Sequence, residues 1–373
     1  MLIIPLITKK CYNEIMEIRE NVPIANLTTM RLGGNARYVV GAKTPEDVRA
    51  AYIFAKDHNM PVWVMGGGAN TIGRDEGFPG VILLNEITGI FIERDGKFVA
   101  AENINTDSLD EELILKGMGG EVWDNFVKVA CDLDYSGIEA LSMIPGTLGA
   151  APVQNIGAYG QEISQVILSV EAYDTKTTEF VTIKKSDMQM SYRSSRFNHG
   201  EDAGRFVILS VIVKLHKGEL QRPFYNSLER YIEKYHETNF SPNNIRRMIC
   251  EIRADKLPDP KLVASAGSFF KNVFLNKDES DAAEAKGIPV WRSANGEGKI
   301  NSGWLIEQCG LKGKEMFGFK VSDKAALVLI NKTAKSYHDL DQARQTIIDA
   351  VQENFGYILG QEPVEMPILT EVD

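Results

Sequence analysis

Two glycine-rich stretches hold the residue types best suited to chemistry in this chain. The first is Val64-Met65-Gly66-Gly67-Gly68-Ala69-Asn70-Thr71. The second runs from Leu141 to Gly160, through Ile144-Pro145-Gly146-Thr147-Leu148-Gly149-Ala150 and Gln154-Asn155-Ile156-Gly157-Ala158-Tyr159. It carries four glycines, two prolines and no ionisable side chain except Tyr159. Glycine admits positive φ and lets backbone approach a flat ligand, while proline pins a turn. Such a run is too broken for a long helix and too apolar for an exposed loop. It reads as backbone lying against something large, buried and only partly charged. The triple glycine, taken alone, reads either as a phosphate cradle or as a structural turn. Neither stretch is G-x-G-x-x-G, and no G-x-x-x-x-G-K-[ST] occurs, which disfavours a dinucleotide Rossmann domain or a P-loop. The four cysteines (Cys11, Cys131, Cys250, Cys309) lack CxxC or Cys/His ligand spacing. Reduced thiols and no metal site are expected.

The elements around these stretches alternate strand and helix. Ala36–Val40 reads as a strand entered from the turn Asn26–Gly34. Thr44 reads as a helix cap with Pro45 at the first position and Glu46-Asp47 in the first turn. Val48, Ala51, Tyr52 and Ala55 then share a face. Strands follow at 61–65 and 80–85, with the triple glycine after the first. In such α/β units ligands lie outside the carboxyl ends of strands. Val122–Leu133 reads as an amphipathic helix ahead of the long glycine stretch. Beyond it, 166–173, 179–183 and 206–215 are β-branched runs, the last a buried central strand. Ser227–Lys234 and Pro242–Ala254 read as helices, and Lys256-Leu257-Pro258-Asp259-Pro260 as a domain boundary. A helix near Trp304–Gln308, a strand at 326–331 and a helix at 340–354 complete the chain.

At 373 residues and 44% hydrophobic content the chain is long enough for two or three packed domains. A formal net charge of -10 and a pI near 5.2 argue against a general nucleic-acid binder or an anionic membrane surface. They leave room for a local basic pocket. The opening run Met1–Ile7 is shorter than a signal peptide's hydrophobic region, and no window reaches the ~20 apolar residues of a membrane span. A cytoplasmic protein with no membrane partner is expected.

Taken together the segments resemble the UDP-N-acetylenolpyruvoylglucosamine reductase family, flavoproteins that make UDP-N-acetylmuramate for peptidoglycan. The resemblance runs from about Asn26 to Glu362. It is carried by Gly66–Asn70, Ile144–Gly160, Tyr192-Arg193-Ser194-Ser195-Arg196-Phe197, Lys256–Pro260, Ala266-Gly267-Ser268-Phe269-Phe270-Lys271-Asn272 and Ser302-Gly303-Trp304-Leu305-Ile306-Glu307-Gln308. It implies an α+β protein. Its FAD-binding fold of the vanillyl-alcohol oxidase type would comprise subdomains 1–85 and 86–257, the latter joined by the tail 357–373. An α+β substrate-binding domain would follow at 258–356. It implies FAD and NADPH as cofactors and the enolpyruvyl ether of a UDP-sugar as substrate.

By the same resemblance Gly66, Gly67, Gly68, Ala69, Asn70 and Thr71 hold FAD from one side. Ile144, Pro145, Gly146, Gly149, Ala150, Gln154, Asn155, Gly157, Ala158 and Tyr159 hold it from the other. Ser268 matches the proton donor, and a hydroxyl serves as an acid only when placed beside the carbanion it quenches. Arg193 and Glu362 match the residues that stabilise the enolate-like intermediate; a guanidinium fork suits a carboxylate, with Arg196 the solvated alternative. Counting without a gap from Phe355 and Leu359 selects Glu362, whereas aligning on the proline selects Glu365. Tyr225, Lys256, Asn272, Lys299 and Gln308 match substrate-binding positions, Tyr225 as the tyrosine that closes over the UDP group. Departures from the family are Ala69 for serine, Val273 for proline, Asn198 for lysine and a poorly matching region 102–124. Another FAD oxidoreductase on the same fold, or a catalytically silent flavin or UDP-sugar binder, are the alternative readings.

Overall fold

The computed structural model describes residues 16–103 and 110–369; Met1–Ile7, Cys11 and the first half of the acidic segment, Asp107–Leu109, lie outside them. The chain divides into two compact units. One comprises the chain up to Val22, Ala36–Gly67 and Pro79–Arg253; the other comprises Pro23–Asn35, Gly68–Phe78 and the chain from Ala254 onward.

The first unit opens with a four-stranded sheet in the order Ile18–Pro23, Asn35–Ala42, Phe78–Asn85, Val62–Met65. The last two run parallel, Val62 opposite Val81 and Met65 opposite Leu84. The helix Pro45–Asp57 joins the second strand to Val62–Met65 and starts where expected. Thr44 Oγ1 accepts the Asp47 N–H at 3.2 Å, and the Asp47 carboxylate accepts the Thr44 N–H at 2.8 Å. This reciprocal cap satisfies two orphan donors of the first turn. Val48, Ala51 and Ala55 are buried as their spacing predicts, but Phe54 completes the set while Tyr52 stays half-buried.

The larger sheet of this unit is antiparallel throughout, in the order Glu179–Lys184, Ile167–Asp174, Phe206–Lys217, Glu112–Met118, Ile90–Arg94, Lys97–Ala100, with Tyr135–Ser136 also on Phe206–Lys217. Phe206–Lys217 is its buried centre. Glu112–Met118 lies in the region that matches the family poorly, yet its burial alternates residue by residue as a half-covered strand requires. The helix Trp123–Asp132 packs Trp123, Phe126, Val127, Ala130 and Cys131 into the core of this sheet. Two further helices, Asn226–Tyr235 and Pro242–Lys256, share a small core of Leu228, Ile232, Ile245, Met248, Ile249 and Ile252 with Ala140.

The second unit is built on an antiparallel sheet in the order Ser265–Ser268, Val328–Asn331, Phe319–Val321, Glu315–Met316. A three-stranded sheet, Val273–Leu275, Gly298–Ile300 and Trp291–Arg292, stands beside three helices, Lys277–Ala285, Ser302–Gln308 and Tyr337–Phe355. Its core gathers Phe269, Phe270, Leu305, Phe319 and Leu340 with Met30, Leu32 and Ile72 from the early chain. The tail strand Val364–Glu365 pairs in parallel with Thr71–Ile72. Among the described residues no helix is long and apolar enough to cross a membrane.

Candidate active site

In the first unit the two glycine stretches press directly on each other. A Cβ on Gly66 would stand 2.3 Å from Thr147 Oγ1, and one on Gly67 would stand 3.1 Å from Gly146 Cα. A side chain at Gly66 would therefore have to displace the Thr147 hydroxyl. The long stretch is laid down residue by residue. The Trp123 N–H donates to Gly146 O at 3.1 Å, the Leu148 N–H to Glu121 O at 2.8 Å and the Gly149 N–H to Gly119 O at 2.8 Å. Met143, Gly146, Asn155, Tyr159 and Gly160 all have positive φ. Ile144 packs against the core, whereas Pro145 and Ala150 are exposed. This is a small-residue backbone surface with almost no charge.

The arginine motif is fastened to that surface at three points. Asn155 Nδ2 donates to Ser191 O at 3.0 Å, Ser195 Oγ to Val153 O at 2.6 Å, and Arg193 Nη2 to Gly157 O at 3.0 Å. Arg193 itself has positive φ, and its guanidinium lies 5.0 Å from the centre of the Tyr192 ring. Asn155 is buried, with its amide also donating to Glu162 Oε2 at 2.8 Å and its carbonyl accepting the Ser164 N–H at 3.1 Å. Its side chain serves the loop. Gln154 is half-buried, and Ala158 pairs with Gln161 in a short hairpin. Arg196 is held by Asp202 and by Asp187 O, a structural ion pair in place of the solvated role expected for it.

Tyr225 stands immediately before the helix Asn226–Tyr235 and meets the Tyr159 ring edge-on, centroids 5.8 Å apart. Sequence reasoning passed over Arg253, whose guanidinium lies beside the Tyr159 hydroxyl and donates to Met143 O at 3.3 Å. Burial raises the Tyr159 phenol pKa against the pull of this guanidinium, and burial lowers the pKa of Arg253. Glu139 was also missed. It is fully buried, accepts the Gly137 N–H at 2.6 Å and the Gln161 amide at 2.5 Å, and burial pushes its carboxyl up. Neither residue stands in a motif, so only the folded contacts expose them.

In the second unit Gly68 has φ +62, and Gly68 O accepts the Thr29 N–H at 3.1 Å; Thr29 O in turn accepts the Ser265 N–H at 3.1 Å. The strand that bears Ser268 is thereby linked to the end of the glycine turn through one residue. Asn70 O accepts the Val364 N–H at 2.8 Å, and Thr71 pairs with Val364, while Ala69 is half-buried. Ser268 follows Gly267, whose φ is +67, in a stretch where the pairing shifts between Ser265 opposite Ile330 and Ser268 opposite Val328. A bulge with glycine in the left-handed region re-aims the next side chain.

The tail then settles beside this serine. Lys271 N–H donates to Gly360 O at 2.8 Å and Glu362 N–H to Phe269 O at 2.9 Å, with Phe270 opposite Gln361. Glu362 lies next to the residue that follows Ser268. Glu365 is used elsewhere: it takes Arg74 at 2.9 Å and the Tyr337 hydroxyl at 2.8 Å, and it pairs with Arg344. Its carboxyl sits below its ordinary pKa; burial opposes this, and the Tyr337 and Arg344 contacts overcome it.

Asn272 Oδ1 accepts the Ser302 N–H at 3.2 Å, at the start of the helix Ser302–Gln308. Gln308 is exposed at the other end, roughly 9 Å along the axis at 1.5 Å per residue. Lys299 lies between Phe274 and Trp291 in the three-stranded sheet. Lys256 ends its helix, exposed. The structure therefore gathers Ser268, Glu362, Asn272 and the Gly68–Thr71 segment around neighbouring strands, and leaves Gln308 apart from Asn272. Among the described residues no cluster of three or more His, Cys, Asp or Glu side chains is placed to hold a metal ion.

A surface of small, uncharged residues and close-packed backbone suits a flat, largely neutral cofactor that needs close approach. This architecture is that of an FAD-binding oxidoreductase: residues 36–184 match the family model described as "FAD binding domain". Residues 259–366 match "UDP-N-acetylenolpyruvoylglucosamine reductase, C-terminal domain". The UDP-N-acetylenolpyruvoylglucosamine reductase of Polynucleobacter asymbioticus is 34% identical over 93% of this chain and 99% of its own. That of Neisseria gonorrhoeae is 33% identical over 94% and 98%. The crystal structure of the Thermus caldophilus reductase superposes with a TM-score of 0.61 at 22% identity, covering 94% of this chain and all of that one. The chain belongs to the UDP-N-acetylenolpyruvoylglucosamine reductase family.

Proposed function

We propose that this chain reduces the enolpyruvyl ether of UDP-N-acetylglucosamine enolpyruvate to UDP-N-acetylmuramate with NADPH, in the cytoplasm, as a step of peptidoglycan precursor synthesis. The observation that carries the reading is the meeting of a glycine-bulge serine, Ser268, with the tail glutamate Glu362 on adjoining backbone. Bound FAD supplies the hydride carrier between NADPH and the methylene carbon of the substrate. The residues of this chain then have three tasks.

The first is to hold the flavin and keep it dry. Gly66 and Gly67, packed close against Gly146–Ala150, form an uncharged backbone surface proposed to support the flavin. The second is to deliver a proton. When the methylene carbon accepts a hydride, the neighbouring carbon carries the electron pair of the former double bond, and Ser268 is the donor proposed to protonate it. The third is to stabilise the negative charge spread into the substrate carboxylate while that pair is unquenched. Arg193, oriented by Gly157 O, is proposed for that task, with Glu362 beside Ser268. The binding of Glu365 into a charged cluster supports Glu362 as the working carboxylate. Tyr225, Lys256, Asn272, Lys299 and Gln308 are proposed for the UDP moiety, lysine as a point charge and asparagine as a neutral donor. No partner beyond substrate and NADPH is proposed.

The test is Ser268→Ala. NADPH should still bleach the flavin at the wild-type rate, while turnover of the enolpyruvyl substrate falls by about 10²–10⁴-fold, the span of a lost general acid. Wild-type turnover in this variant would refute the assignment of Ser268. A purified wild-type protein without flavin absorbance would refute the function as a whole.

A further inference from the structure

We infer that Gln361 is a positioning residue for Glu362, transmitting to it the rigidity of a charged cluster made by Arg74, Glu365, Arg344 and Tyr337. The inference rests on the reading of Glu362 as catalytic. It starts from a weakness in the tail. Residues 360–362 pair with 269–271, but the Val364 N–H donates to Asn70 O at 2.8 Å and the Met366 N–H to Ile72 O at 2.9 Å. The chain thus changes partner between Glu362 and Val364. The residue at the change is Pro363, which has no N–H to donate. Pro363 therefore donates to neither of the two partner segments.

The Gln361 side chain spans the gap. Its Nε2 donates to Pro363 O at 2.8 Å, across Glu362, and to Glu365 Oε1 at 3.3 Å. Its Oε1 accepts from Arg344 Nη1 at 2.8 Å. With both ends of the amide committed, one orientation alone satisfies the network. Behind it the cluster is dense. Glu365 receives Arg74 at 2.9 Å, the Tyr337 hydroxyl at 2.8 Å and Arg344, and the Arg74 guanidinium stacks 4.0 Å from the Tyr337 ring centre. Arg344 also pairs with Asp341 on its own helix. Side-chain exposures of 19% for Arg74, 24% for Glu365 and 19% for Arg344 place these charges in a screened pocket, where hydrogen bonds to charged groups are stronger than at an open surface. Their effect on the reaction runs through the backbone of Glu362.

The experiment is a double-mutant cycle on the FAD-bound full chain with Gln361→Ala, Glu362→Ala and both together. Steady-state kcat and KM are read together with the rate at which NADPH reduces the flavin. Gln361→Ala alone should lower kcat by about 10- to 100-fold, the scale of an ångström of misplacement. Flavin reduction and KM should stay at wild-type values. In the Glu362→Ala background the same change should alter kcat by less than about twofold, because the residue it positions is gone. Three outcomes overturn the inference. Wild-type kcat in Gln361→Ala while Glu362→Ala collapses would leave Glu362 catalytic and Gln361 irrelevant. Equal losses in both backgrounds would mark general destabilisation. Wild-type turnover in Glu362→Ala would remove the catalytic reading itself. Should Gln361→Ala fail to fold, Gln361→Glu is read the same way, since it keeps an acceptor for Arg344 and loses the donor to Pro363 O.

Discussion

Glu362 and Glu365 show how little a residue's type says about its task. Both are glutamates of one short tail, and a count along the sequence leaves either eligible. What separates them is three-dimensional. Glu365 meets two arginines and a tyrosine, whereas the backbone of Glu362 pairs with the residue after Ser268. None of those partners is near in sequence. Gly66 is a different case, since the sequence left its glycine either a phosphate cradle or a structural turn, and the fold adds a packing reason for it. A Cβ there would stand 2.3 Å from Thr147 Oγ1, so Gly66→Ala must turn that hydroxyl aside or push the two glycine loops apart. The cost of such overpacking is about 1–3 kcal/mol. The expected result is a pale protein on purification, with FAD affinity weakened by roughly the corresponding 5- to 150-fold in a flavin titration. Adding Thr147→Ala removes the colliding hydroxyl and should restore much of the affinity. Undiminished flavin in Gly66→Ala would show that the loops do not grip the cofactor.

At the scale of elements, the sequence was readable wherever a local rule decides the outcome. The Thr44 cap with Pro45 and Asp47 marks a helix start, and β-branched density marks the central strand Phe206–Lys217. Elements held by pairing alone were not readable. Ser265–Ser268 and Val273–Leu275 are short, and their partners lie far along the chain. Glu112–Met118 has the right alternation but sits beside an acidic segment that obscures it. The hairpin of Ile167–Asp174 and Glu179–Lys184 is fixed at its turn by Asp174, which accepts Arg205 Nε at 2.8 Å, Arg205 Nη2 at 2.6 Å and the Lys176 N–H at 2.9 Å. The Arg205 hydrogen bonds hold this carboxyl well below the usual carboxylate range. A group with a depressed folded pKa contributes stability that is fully present above its unfolded value, near 3.9 for aspartate. That contribution is lost as pH falls through the folded pKa. Asp174→Asn should therefore lower the urea midpoint at pH 7, and the gap to wild type should close only below about pH 4. A gap unchanged at pH 3 would mean that the ion pair is not its source.

At the scale of the molecule, the chain returns on itself in a way no local signal announces. Pro23–Asn35 and Gly68–Phe78 join the unit that contains everything from Ala254 onward, although each is flanked by segments of the other unit. The reason is burial. Met30, Leu32 and Ile72 lie in the same core as Phe269, Phe319 and Leu340, and short apolar words of this kind fit either core when read alone. The break between units falls between Gly67 and Gly68, inside the triple glycine itself. Gly66 and Gly67 approach Gly146–Ala150, whereas Gly68 bonds to Thr29. Ligand that binds only the folded chain stabilises it by mass action, about 2.7 kcal/mol at a hundredfold excess over Kd. For a domain of roughly 150–250 residues this corresponds to about 5–10 °C in melting temperature. Titrating FAD into flavin-stripped protein should raise the calorimetric transition by that amount, and the shift should grow with the logarithm of FAD concentration. Gly66→Ala should need proportionately more FAD for the same shift. A melt that ignores FAD in the wild-type chain would mean that the flavin is not bound by the folded glycine turn.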